Sequence, residues 1–158
     1  MIDETFSGSS AGAACLAAVP EVLETMFFEL LADVPDVGSL PASGPLDSSR
    51  VEFEGSSRGA FVVAAPPELT GSLADSFLGL EDLEGRDANA GLVLSELANM
   101  VCGNALGRYQ PNGIFRLSMP VTRLGRPAGE LNDPALTWVR FPLDGGPLFV
   151  GLQLEAAR

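Results

Sequence analysis

At 158 residues the chain has the length of one domain, and with 46% hydrophobic residues it can bury a core without disulfides or metal. Its formal charge is −12, with nine arginines, no lysine and no histidine; nucleic acid and anionic membranes need clustered positive charge, so neither is expected as a partner, and a basic partner surface is. Without histidine a Ser-His-Asp triad, a Cys-His pair and a histidine-ligated zinc are excluded within the chain, and acid–base work falls to carboxylates.

No run of 18 or more apolar residues is present to span a membrane, and Met1-Ile2-Asp3-Glu4-Thr5 is acidic where a secretory signal is basic, so a cytoplasmic location is expected. Residues 1 to 12 are small and polar, with Ser7-Gly8-Ser9-Ser10. Residues 1–15 read as a flexible lead-in to a single domain over 16–158. From Leu16 to Ala32, Val22, Leu23, Met26, Phe27, Leu30 and Leu31 recur at intervals of three and four, which predicts a helix, with Pro20 in its first turn or at a kink. Residues 33–49, rich in Pro, Gly, Ser and Asp, predict a long connection.

Val51-Glu52-Phe53-Glu54 alternates and Gly59 to Ala65 is nearly all apolar, so a hairpin turning at Gly55-Ser56-Ser57-Arg58 is expected, its second strand buried on both faces. Pro66-Pro67-Glu68 opens a short helix to Leu78. The acidic run from Glu81 to Asp87 lacks the ligand pattern of a calcium loop. Acids ahead of a helix are stabilised by its dipole, by about 0.3–1 kcal/mol each, and Asp87 is expected to cap a helix reaching about Gly107. Strands are expected over Phe115–Val121, Thr137–Pro142 and Leu148–Leu154, with a turn at Asp144-Gly145-Gly146. This order describes a two-layer α+β domain of the broad α/β class, two long helices covering a largely antiparallel sheet. Cys15 and Cys102 form no ligand spacing and read as small buried apolar residues.

The helix ending near Gly107 is the most informative segment. At about 100° per residue, Ala90, Leu94, Leu97, Ala98, Val101 and Ala105 fall in one stripe roughly 100° wide, the width a core-facing surface needs. Glu96 and Asn99, one turn apart, point away from it. Gly103 falls between their directions one turn later. Glycine inside a helix costs about 0.5–1 kcal/mol relative to alanine, so bare backbone there suggests a use, either close approach of a partner surface or helix packing.

The stretch Glu96-Leu97-Ala98-Asn99-Met100-Val101-Cys102-Gly103-Asn104-Ala105, after a strand pair and before three strands, resembles the CheC, CheX and FliY family of chemotaxis phosphatases, its CheX-type members most closely. Val19-Pro20-Glu21-Val22-Leu23-Glu24-Thr25-Met26 is similar to the helix near the start of CheX-type domains, and the resemblance runs from about Leu16 to Leu154. It implies a hydrolase of two-component signalling that removes phosphate from the aspartyl phosphate of a CheY-like receiver domain. In that scheme Glu96 pairs with the receiver's active-site lysine and Asn99 positions water for in-line attack on phosphorus. The resemblance also implies no cofactor of the chain's own, the divalent cation, magnesium, belonging to the receiver, and a homodimer joined through the sheets. Such chemistry suits these residues, because phosphoryl transfer needs positioning more than a strong base, and a carboxamide both donates and accepts.

Three positions depart from the family pattern. Leu92 stands where CheC-type motifs carry Asp or Ser four positions before the glutamate. The proline that follows the asparagine has its nearest match in Pro120, slightly early, and the second E-x-x-N of CheC reads Glu24-Thr25-Met26-Phe27, so one site is expected. Leu92 favours the alternative of a non-catalytic receiver-binding or flagellar-switch-like interaction domain. A general small-molecule phosphatase would need a metal cluster, a nucleophile with its base or a glycine-rich phosphate cradle, and none is found. The strands from Thr137 to Leu154 either offer a sheet edge to a second copy or pair internally.

Overall fold

The computed structural model describes residues 9–79 and 83–155. Helix α1 (Ser10–Phe27) begins ahead of the expected Leu16. Ser9 Oγ accepts the amide of Gly12 at 2.9 Å, satisfying one free N–H of the first turn, and the alanines that follow are the strongest helix formers. The lead-in expected over 1–15 is therefore helical from Ser10, while residues 1–8 lie outside the described residues. The helix stops at Phe27, short of Ala32, because Phe28 turns left-handed (φ 57°) and the amide of Glu29 closes on the Leu23 carbonyl at 3.0 Å. By length and composition α1 could cross a membrane, yet Cys15, Ala18, Val19, Leu23 and Phe27 bury one of its faces in the core.

Strands β1 (Asp36–Val37), β2 (Pro45–Gly55), β3 (Arg58–Ala65), β4 (Phe115–Leu117), β5 (Val121–Pro127), β6 (Thr137–Leu143) and β7 (Gly146–Glu155) form, among the described residues, one seven-stranded sheet in the order β1-β6-β7-β3-β2-β4. All its pairings are antiparallel, and β4 and β5 share the outer edge of β2 end to end.

The long connection expected over 33–49 is corrected. It contains β1 and the first half of β2, whose leading Pro45 sits where a strand tolerates proline and whose Leu46 to Ser49 are buried between β3 and β5. The single strand expected over Phe115–Val121 is also corrected. Ser118 donates its amide to the Glu52 carbonyl at 2.8 Å and accepts the Glu52 amide on Oγ at 2.9 Å, and Pro120, lacking an N–H, separates β4 from β5. Strand β5 has no apolar alternation to announce it, since Arg123, Gly125, Arg126 and Pro127 interrupt the pattern. The late hairpin pairs internally, and the outer edge of β6 is met by β1 and by the amides of Ala32 and Gly38.

Helix α2 (Pro67–Leu78) ends at Gly79, whose left-handed φ of 67° suits a residue without Cβ. Helix α3 (Leu83–Tyr109) begins before Asp87, so that residue lies within the helix and is not its cap; Glu81 and Asp82 of the acidic run lie outside the described residues. The main core lies between one sheet face, with Val51, Phe61, Val63, Phe141 and Val150, and the helices, with Leu23, Leu73, Leu94, Leu97 and Val101. A smaller cluster of Leu46, Val62, Trp138 and Phe149 covers the other face beneath Leu40 and a 3-10 turn at Ala128–Leu131.

Two expectations follow from this core. Leu97 is fully buried, so Leu97→Ala should lower the unfolding free energy by about 2–5 kcal/mol, read as a shifted denaturant midpoint at unchanged slope. Cys15 and Cys102 are also fully buried, and burial pushes both thiols from an ordinary 9.0 up to about 12. A folded pKa above the unfolded one means that this contribution to stability is complete below about pH 9 and declines as pH rises towards 12. Native protein at about pH 8 should resist a thiol-alkylating reagent at both positions and take up label at both after unfolding, as mass spectrometry will show.

Candidate functional site

Helix α3 packs against α1, α2, β2, β3 and β5. The buried face expected from the apolar stripe is wider than predicted: Val93, Cys102 and Leu106 join it, while Ala90 is only half-buried. Along the middle of the helix one strip faces outward. Leu92, Glu96, Asn99 and Gly103 stand at i, i+4, i+7 and i+11, within an arc of about 60°. Leu92 is 54% exposed, Gly103 is exposed, and Glu96 and Asn99 are half-buried.

Polar neighbours on the same helix show how unusual the pair is. Asn104 and Arg108 both bond to Glu21 on α1, and Arg108 Nε donates to Asn104 Oδ1 at 2.7 Å. The Arg108 guanidinium, then Asn104, hold the Glu21 carboxyl below the usual carboxylate range. Those side chains are committed to holding two helices together. Among the described residues, Glu96 and Asn99 have no such partner, so their hydrogen-bonding groups are available to another molecule. A Cβ placed on Gly103 would meet nothing within 4 Å, so no helix packs there and the bare backbone faces outward. Among the described residues, no three His, Cys, Asp or Glu side chains converge as a metal site.

Ser95, the residue before Glu96, lies on the flank of this strip and turns towards the sheet. Its Oγ donates to the Gly91 carbonyl at 2.9 Å and lies 2.6 Å from Thr122 Oγ1, which is 2.9 Å from Ser49 Oγ. A carbonyl only accepts and each hydroxyl carries one proton, so the chain runs in one direction, Ser49 to Thr122 to Ser95 to Gly91. Nearby, Asp47 Oδ1 accepts the amide of Gly125, tying β5 to β2 at 2.7 Å. Sequence reasoning missed these residues because Ser49 fell in an expected loop and Thr122 lay just past an expected strand. The available signal was Ser95, a hydroxyl at the border of the apolar stripe.

Several solved structures share the fold. CheX from Desulfovibrio desulfuricans is 19% identical, with a TM-score of 0.72 over 93% of this chain and 100% of that one. CheX from Vibrio vulnificus is 21% identical, with a TM-score of 0.73 over 93% and 100%. The CheX–CheY–BeF3–Mg2+ complex from Borrelia burgdorferi matches with 21% identity and a TM-score of 0.74 over 90% and 96%. No curated protein matches the chain in sequence. The sequence model of the chemotaxis phosphatase CheX matches residues 48–134, more than half of the chain and inclusive of Glu96 and Asn99. The chain therefore belongs to the chemotaxis phosphatase CheX family.

Proposed function

We propose that the protein hydrolyses the aspartyl phosphate of a CheY-like receiver domain, with Asn99 positioning the attacking water and Glu96 anchoring the receiver. The observation that carries this reading is the uncommitted carboxylate and carboxamide one turn apart on a rigid helix, beside the bare backbone of Gly103. Membership of the CheX family supports it, as does the complex of a similarly folded CheX with CheY.

In this reaction the water oxygen forms a bond to phosphorus as the bond from phosphorus to the aspartyl oxygen breaks. The leaving carboxylate takes the electron pair and, being a weak base, needs no protonation; the proton of the water passes to the departing phosphate. Asn99 Oδ1 accepts one hydrogen of the water and aims its lone pair along the line of attack, a contribution of position rather than basicity. Glu96 pairs with the receiver's active-site lysine, and the receiver brings its own magnesium.

One observation favours a second reading. Leu92 places exposed apolar surface one turn before Glu96, as a receiver-binding or flagellar-switch-like module without turnover would. Phosphate release from phosphorylated receivers, with and without the protein, separates the two. Wild-type protein should accelerate release, and Asn99→Ala should lose about 100-fold or more while still binding the receiver. Asn99→Gln should also be slow, because one methylene displaces the amide, and Glu96→Ala should weaken binding and rate together. Wild-type turnover by Asn99→Ala would overturn the mechanism, and receiver binding without acceleration by the wild type would establish the second reading.

A further inference from the structure

The geometry points to Thr122, together with Ser95 and Ser49, as positioning residues for the reaction: their directional chain of hydroxyls sets the rotation of α3 about its axis and thereby the aim of Asn99 and Glu96. This inference rests on the phosphatase reading. The rest of the buried surface of α3 is largely Leu, Val and Ala, and the hydrophobic effect that holds such side chains is non-directional. Hydrogen bonds are not, since they weaken steeply with misalignment. The contacts of 2.9, 2.6 and 2.9 Å join the sheet to the helix one residue before Glu96 and one turn before Asn99.

The lever is short and sensitive. Side-chain tips stand roughly 5–6 Å from a helix axis, so a roll of about 10° moves them by about 1 Å. In positioned chemistry a displacement of that size can cost about 100-fold in rate. Gly91 leaves room at this point: even a Cβ on it would lie 3.8 Å from Thr122 Cγ2 and 3.9 Å from Leu124 Cδ1, in ordinary contact. The anchor at the far end is firm, because Ser49 is fully buried and the bulge between Leu46 and Ser48 brings it into register with Thr122. Valine and alanine would fill these positions without burying hydroxyls, so the hydroxyls contribute direction.

The test compares Thr122→Val, which removes the hydroxyl at nearly constant shape, with Thr122→Ser, which restores it. With a receiver phosphate as substrate, Thr122→Val should lower kcat about tenfold and raise KM as well, since Glu96 moves with Asn99, and Thr122→Ser should return both to within about twofold of wild type. A merely structural hydroxyl would shift the thermal midpoint while leaving kcat equal in all three folded proteins, and that result would overturn the inference. A second measurement does not depend on turnover: the NMR signals of the Asn99 side-chain amide should move in Thr122→Val and return in Thr122→Ser. Unchanged Asn99 signals in Thr122→Val would also overturn it. If wild-type protein accelerates no receiver, the phosphatase reading fails by itself, and the Asn99 signals still decide whether the hydroxyls set the aim of that residue.

Discussion

Helix α3 is enclosed by the sheet and by α1 and α2, and this enclosure governs everything else about the molecule. A helix covered on most of its circumference must be apolar over most of it, which is why Val93, Leu94, Leu97 and Val101 succeed one another with so little polar relief. Each such side chain contributes about 1.5–3 kcal/mol by leaving water. Among the described residues, one strip along the middle of the helix stays open, and it holds Leu92, Glu96, Asn99 and Gly103. The same burial that stabilises the fold thus confines outward chemistry on this helix to a few positions and keeps their backbone rigid.

The apolar stripe fixes which face of α3 is buried, and directional contacts refine the angle at which that face sits. Polar contacts flank the strip and supply that information. On one side Glu21 of α1 joins Asn104 and Arg108; on the other, Ser49 and Thr122 of the sheet join Ser95. The two differ in strength of constraint. The Glu21–Arg108 pair is half-exposed, and ion pairs in water contribute little. The hydroxyl chain reaches a fully buried Ser49, where a missed hydrogen bond is costly.

Strand β2 divides along its length in a way that serves this arrangement. Its inward positions Val51 and Phe53 join the apolar core, whereas Asp47 and Ser49 on the same face hold β5 through Gly125 and Thr122. The break at Ser118–Pro120 lets one edge of β2 carry two different strands, β4 along the apolar half and β5 along the polar half. Strand β5 then reaches α3 beside the open strip.

How much of this was legible follows from the range of the forces involved. Helix periodicity is local, so the amphipathic stripe from Leu94 to Ala105, the outward direction of Glu96 and Asn99, the helix opened by Pro67 and the hairpin from Val51 to Ala65 were all determined by residues close in sequence. The start of α1 at Ser10 was missed because small residues carry no apolar period, although Ser9 is a good cap. The first half of β2, β1 and β5 become strands only by pairing with distant segments, and nothing in their own composition demands it. Ser49 meets Thr122 across 73 positions, and Thr122 meets Ser95 across 27. Which way α3 points its two polar groups was written in the sequence. Only the tertiary structure decided what holds that direction, because a hydrogen bond between hydroxyls far apart in sequence depends on approach in space and leaves no period along the chain.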